Sequence, residues 1–256
     1  DSAIGFYHFK LSADDVSFSS TALSGFVNTS ASGNITVYES TFNVTNVDGM
    51  SSAPDIDSNT IHMWRFDEGS GTSTDDEGSR DYDGSISGAT WVDGKSKKGL
   101  EFDGSNDYVY SSSSTSSHSG EVTIEAWIYF DEDFDRTNVI VQWGTAPLKL
   151  SINSNEKLSL EAYASGNKEV IGSTILEKNT WYHVAGTFSE SNDVMKVYVN
   201  GVEDGTYSTS SELYHWGWNT RIGSDCGWWS CNYFEGKIDE VRMSSTARSS
   251  FISERY

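Results

Sequence analysis

Apolar and polar residues alternate one by one through much of this chain, and no stretch of a dozen residues carries apolar positions at helical spacing. A period of two sends successive side chains to opposite faces of a pleated strand, so the pattern predicts a mostly β protein. The expected strands are Thr60 to Phe66, Glu121 to Phe130, Thr137 to Trp143, Lys157 to Tyr163, Trp181 to Phe188, Val194 to Val199 and Tyr233 to Arg242. Within Glu121 to Phe130, the residues Val122, Ile124, Ala126, Ile128 and Phe130 share the face expected to look into a core. Glu121, Thr123, Glu125, Trp127 and Tyr129 share the other. Asn200-Gly201, between VMKVYV and VEDGTY, predicts a type I′ hairpin because both residues tolerate positive φ. Gly-, Asn- and Asp-rich turns with only two prolines describe a two-sheet antiparallel sandwich rather than a βαβ protein. The one helix expected is a short one in Ser244 to Tyr256.

Aromatic residues make up 13% of the chain, enough to build a core from large rings, so wholesale disorder is not expected. Seventeen basic against 38 acidic residues give a net charge of −21, a field that opposes nucleic acid and anionic membranes as partners. No run of 18 apolar residues occurs, so neither a membrane span nor a secretory apolar segment is expected within this sequence. The only cysteines, Cys226 and Cys231, bracket CGWWSC. They read as a disulfide across a hairpin tip, which implies an oxidising compartment, in preference to a zinc pair lacking a second Cys/His pair nearby. Three N-x-S/T sequons, at Asn28, Asn34 and Asn43, cluster near the start and mark that segment as candidate glycosylated surface.

A small, polar stretch at Ser51-Ser52-Ala53-Pro54-Asp55 suggests a boundary that leaves residues 1–57 as an N-terminal β segment and 58–256 as a sandwich domain. From about residue 59 onward an ordered series stands out: HMWRFDEGSGTSTDDEGSRDYDGSISGATW, GKSKKGLEFDGSNDYVY, EVTIEAWIYFD, NTWYHVAGTF, MKVYVNGVEDGT and YFEGKIDEVRMSSTARS. In this order and spacing it resembles the laminin G-like branch of the concanavalin A-like lectin/glucanase jelly rolls. The resemblance implies a jelly roll of two stacked antiparallel sheets, often a structural calcium ion, and a role in binding sugars or proteins outside the cell. It also implies calcium ligands at Asp76, Asp103 and Asp239, whose hard oxygens suit that cation. The competing reading of such residues is that they cap turns through backbone hydrogen bonds. An EF-hand laid over Ser79, Asp81, Asp83 and Gly84 fails, because Thr90 stands where the bidentate Glu belongs.

Sugar rings stack on aromatic faces, and Trp216, Trp218, Trp228 and Trp229 crowd the cysteine region, so these four are candidate ligand-binding residues. Catalysis finds little support: the closely spaced acids of glucan hydrolases with this fold have no counterpart, since the adjacent Asp239 and Glu240 of a strand face opposite ways. A non-enzymatic extracellular or cell-surface protein is expected. Its leading segment, with Ile4 and Phe6 on one side and Tyr7, Phe9 and Leu11 on the other, suits pairing with a neighbouring protomer in a filament or surface assembly. The alternative is a carbohydrate-binding or adhesion module acting through the Trp-rich loops. The bland reading of the leading segment is that it adds edge strands to its own sandwich.

Overall fold

A computed structural model of the chain describes residues 27–29, 35–37, 54–112, 120–144, 148–164, 166–210, 212–213, 219–226 and 231–251. Contacts divide the chain into two units, Asp1–Met50 and Ser51–Tyr256. In the first, β1 (Val27–Thr29) and β2 (Ile35–Val37) form an antiparallel pair, with Asn28 in β1; Asn34, Asn43 and the candidate assembly residues Ile4, Phe6, Tyr7, Phe9 and Leu11 lie outside the described residues.

The second unit carries β3 (Thr60–Trp64), β4 (Ser73–Thr74), β5 (Gly84–Ser87), β6 (Thr90–Asp93), β7 (Lys98–Asp103), β8 (Tyr108–Ser112), β9 (Glu121–Tyr129), β10 (Asn138–Trp143) and β11 (Leu148–Ile152). After these come β12 (Leu158–Tyr163), β13 (Asn167–Ile171), β14 (Tyr182–Ser189), β15 (Val194–Val199), β16 (Val202–Ser208), β17 (Asn219–Ile222), β18 (Ser224–Cys226), β19 (Cys231–Tyr233) and β20 (Glu235–Ser244). One sheet of eight strands runs β13-β12-β11-β10-β17-β8-β5-β4; the other runs β16-β15-β14-β9-β20-β7-β6, with β3 also paired to β20. The pairings are antiparallel, as expected for a sandwich.

Alternation decides what fills the space between the sheets. Val122, Ile124, Ala126, Ile128 and Phe130 of β9 and its following turn join Leu148, Leu150, Ile152, Leu158 and Leu160 in one apolar core. The sheets approach closely at Gly186 of β14, where an added Cβ would lie 2.7 Å from Leu160 Cδ1 and 3.0 Å from Leu150 Cδ1. The β15–β16 hairpin turns at Asn200 (φ 50°) and Gly201 (φ 77°), the two positive angles that its sequence predicts.

The opposite face of β9 differs from a solvated surface. Thr123, Glu125 and Trp127 are as buried as the core: residues 245–251 close over Thr123 and Glu125, while His183 and Lys95 pack on the Trp127 ring. Thr123 donates to the Thr246 carbonyl at 2.6 Å and accepts from the Arg248 amide; Phe251 packs on His183 and Tyr198. Arg248 donates to both Asp57 oxygens, at 2.9 and 2.8 Å, and Arg242 donates to the Asp55 carbonyl. This docking explains why the expected helix is not formed. Strand β20 runs to Ser244, residues 245–251 lie non-helical across the sheet, and 252–256 lie outside the described residues. Among the described residues no helix is long and apolar enough to cross a membrane.

Beneath that cover sits a buried ionic cluster. Glu125, fully enclosed, faces His183 Nε2 at 3.0 Å and accepts from Arg242 Nε at 2.6 Å. Burial works against its charge, but His183 and Arg242 outweigh that and hold its carboxyl below the ordinary glutamate range.

Candidate functional site

The outward face of the β13-to-β4 sheet carries a single transverse row that the strand register assembles. Tyr110 of β8 is the cross-strand partner of Arg221 of β17, Arg221 of Gln142 of β10, and Gln142 of Lys149 of β11. Lys149 in turn faces Glu161 of β12, and Glu161 faces Glu169 of β13. Each alternates with a core residue on its own strand: Val109, Ile222, Val141, Leu150, Leu160 and Val170 point inward. At the usual spacing between strands, the row spans about 24 Å.

At one end, the Arg221 guanidinium lies over two half-buried rings, 4.7 Å from the centre of Tyr108 and 5.3 Å from that of Tyr110. Cation–π attraction holds it in place. Among the described residues the guanidinium makes no hydrogen bond or ion pair. Beside it, Gln142 Nε2 donates to the Gly144 carbonyl at 3.0 Å, and Gln142 Oε1 has no partner. Asn219 Nδ2 reaches the Tyr110 hydroxyl at 3.4 Å.

Further along, Lys149 Nζ donates to Glu161 at 2.8 Å and to Asp225 at 3.2 Å. Burial opposes the lysine's charge, but the two carboxylates outweigh it and raise its pKa above the ordinary lysine value. Asp225 belongs to the β18–β19 hairpin, which the Cys226–Cys231 disulfide closes, so the lysine ties that hairpin to the row. Asp225 also accepts from the Asn232 amide and side chain at 2.9 and 3.0 Å. The face thus presents ring surfaces, hydrogen-bond donors and acceptors, and a charge that runs from positive at Arg221 to negative at Glu169.

The residues singled out from sequence fall elsewhere. Trp216, Trp218, Trp228 and Trp229 lie outside the described residues, in the segments that lead into β17 and link β18 to β19. Asp76 accepts from the Met63, Gly78 and Tyr82 amides at 2.8, 2.9 and 3.0 Å and lies 2.6 Å from His62 Nδ1. Burial works against its charge, yet these partners hold its carboxyl below the ordinary range. Asp103 accepts from the Ser105 amide at 2.9 Å. Asp239 accepts from the Lys95, Ser96 and Glu240 amides at 2.8, 2.9 and 2.8 Å.

Among the described residues no group of three or more His, Cys, Asp or Glu side chains is arranged to hold a metal. Among the described residues Asp76, Asp103 and Asp239 are not brought into one such group, and each accepts from backbone amides, which is the turn-capping role. EDTA should leave the thermal unfolding temperature unchanged, and a fall on chelation that calcium reverses would contradict this. Burial pushes Asp239 up to about 8 and Glu240 up to about 7. Both are almost fully enclosed, at 0% and 1% exposure, so neither presents its carboxyl to an approaching substrate.

Two packed antiparallel sheets with a polar, ring-bearing outward face define the lectin-like class of jelly-roll sandwiches. A laminin G-like family model described as the concanavalin A-like lectin/glucanases superfamily matches residues 103–250, and the chain belongs to that superfamily. No curated protein matches the sequence.

Solved structures share the fold. The botulinum neurotoxin serotype D binding domain superposes with a TM-score of 0.59 at 14% identity, covering 78% of this chain and 50% of that one. The chain thus spans about half the length of that toxin domain. Domain 4 of AbnA, a GH43 extracellular arabinanase from Geobacillus stearothermophilus, solved in complex with arabinotriose, gives 0.56 at 20% identity and covers 74% and 94%. A Trypanosoma rangeli sialidase gives 0.55 at 16% identity and covers 75% and 31%.

Sequence reasoning missed the row itself. Its only local trace is the alternation in YVY and TRI, where Tyr108, Tyr110 and Arg221 flank inward Val109 and Ile222.

Proposed function

We propose that the protein binds carbohydrate through the outward face of the β13-to-β4 sheet. The carrying observation is the Tyr110–Arg221–Gln142–Lys149–Glu161–Glu169 register, with the rings of Tyr108 and Tyr110 at one end. Ring faces suit the apolar faces of sugars, and the adjoining donors and acceptors suit hydroxyl groups. The arabinotriose complex of the AbnA domain supports the reading, because nearly all of that domain is covered by the alignment.

The proposed role is non-catalytic. Glu161 is neutralised by Lys149 and Glu169 is open to solvent, which is the chemistry of a binding surface rather than of a desolvated acid/base pair. The Cys226–Cys231 bridge supports an extracellular or cell-surface setting. The residues suited to filament pairing, Ile4, Phe6, Tyr7, Phe9 and Leu11, lie outside the described residues, whereas the fold's likeness to a domain solved with arabinotriose supports glycan recognition as the function.

In a glycan-array screen followed by calorimetry, Tyr108→Ala with Tyr110→Ala should weaken the strongest interaction at least tenfold, a loss of about 1.4 kcal/mol, while the chain stays folded. Unchanged affinity in that folded variant would place the ligand elsewhere.

A further inference from the structure

Resting on the carbohydrate reading, the geometry points to a more specific ligand: we infer that the recognised glycan carries a carboxylate, taken by the Arg221 guanidinium at the β8–β17 end of the row. In a chain with 38 acidic and 17 basic residues, cations find carboxylates readily. Arg65, Lys97, Lys98, Lys149, Lys178, Lys196, Arg242 and Arg248 all do. Among the described residues Arg221, like Arg80, Lys157, Lys168 and Lys237, makes no ion pair, although it stands on the same row as Glu161 and Glu169.

Its register explains this. Gln142 and Lys149 separate it from Glu161 by three strand spacings, about 14 Å, and Lys149 already holds both Glu161 and Asp225. The two tyrosine rings fix the guanidinium before any ligand arrives, which lowers the ordering cost of binding. A planar fork with free N–H groups is the natural partner of a carboxylate, which it binds bidentately.

The charge of the whole chain narrows the ligand further. A net −21 repels a polyanion at long range, whereas one carboxylate seated on a local cation keeps its short-range attraction. The ligand expected is an otherwise uncharged glycan with one acidic sugar, its carboxylate at Arg221 and its hydroxyls running toward Glu161.

The test uses the full chain and matched pairs of glycans: sialyllactose against lactose, a galactose trisaccharide bearing one galacturonic acid against its carboxyl-reduced counterpart, and sulfated lactose as the second anion. At least one carboxylated member should bind tenfold or more tightly than its neutral twin. Arg221→Gln should erase that preference, bringing each carboxylated member to the affinity of its neutral twin, and Arg221→Lys should restore only part of it. Equal affinity for both members of each pair, lost in the Tyr108→Ala, Tyr110→Ala variant, would overturn the carboxylate assignment and leave carbohydrate binding standing. Sulfated lactose binding as tightly as sialyllactose would also overturn it. Binding to no glycan of any pair would remove both readings together.

Discussion

Arg242→Met should destabilise the sandwich by about 3–5 kcal/mol, because it removes one partner of a buried pair and leaves the Glu125 carboxylate enclosed without its nearest counter-charge. For a domain of this size that corresponds to a fall of roughly 6–20 °C in unfolding temperature. The cost arises from the stranded charge rather than from the lost attraction. A triple variant, Glu125→Leu with Arg242→Met and His183→Phe, replaces the cluster by apolar groups and should therefore recover most of the loss. A triple variant as unstable as Arg242→Met would show that packing, not charge, sets the effect.

The same cluster carries a pH signature. Because Glu125 has a lower pKa folded than unfolded, its contribution is complete above the unfolded value near 4.3 and is lost as pH falls through the folded value. Acid should therefore destabilise the wild type more steeply than the triple variant, as read from denaturant titrations at a series of pH values.

Trp64→Ala should cost a comparable amount, about 3–5 kcal/mol. The indole is fully buried, stacks on His62 with ring centres 5.0 Å apart, and donates from Nε1 to the Tyr82 carbonyl at 3.3 Å. Ser111 Oγ donates to the same carbonyl at 2.9 Å, so the acceptor keeps a partner and the penalty is chiefly that of the cavity. Trp64→Phe, which fills much of the space, should cost clearly less. Urea unfolding of the two variants measures the difference, and equal costs would mean that the indole hydrogen bond, not the volume, dominates.

These two sites show how far the sequence could be read. Alternation within EVTIEAWIYF correctly predicts which residues face the core, and Asn200-Gly201 correctly predicts its hairpin, because both signals are local. Burial of Trp127 and Glu125 on the opposite face is not local. Glu125 is covered when residues 54–57 and 245–251 fold over the sheet and Trp127 when Lys95 and His183 reach its ring, and the first docking replaces the helix expected after Ser244. The binding row is less legible still. Strand β17, at Asn219–Ile222, inserts between β8, at Tyr108–Ser112, and β10, at Asn138–Trp143, so Arg221 meets Tyr110 and Gln142 only once distant strands have paired. The aspartates that resemble calcium ligands are, in the folded chain, acceptors for nearby amides, a difference that spacing alone does not reveal.

The most direct test of a glycan face on this sheet is to titrate the isotopically labelled chain with its tightest-binding glycan and map the backbone amide shifts by nuclear magnetic resonance. The expected result is a contiguous band of perturbed amides at Tyr108, Tyr110, Arg221, Gln142, Lys149 and Glu161. Perturbations confined to the other sheet, at β6, β7, β15 and β16, with the row unmoved, would contradict it.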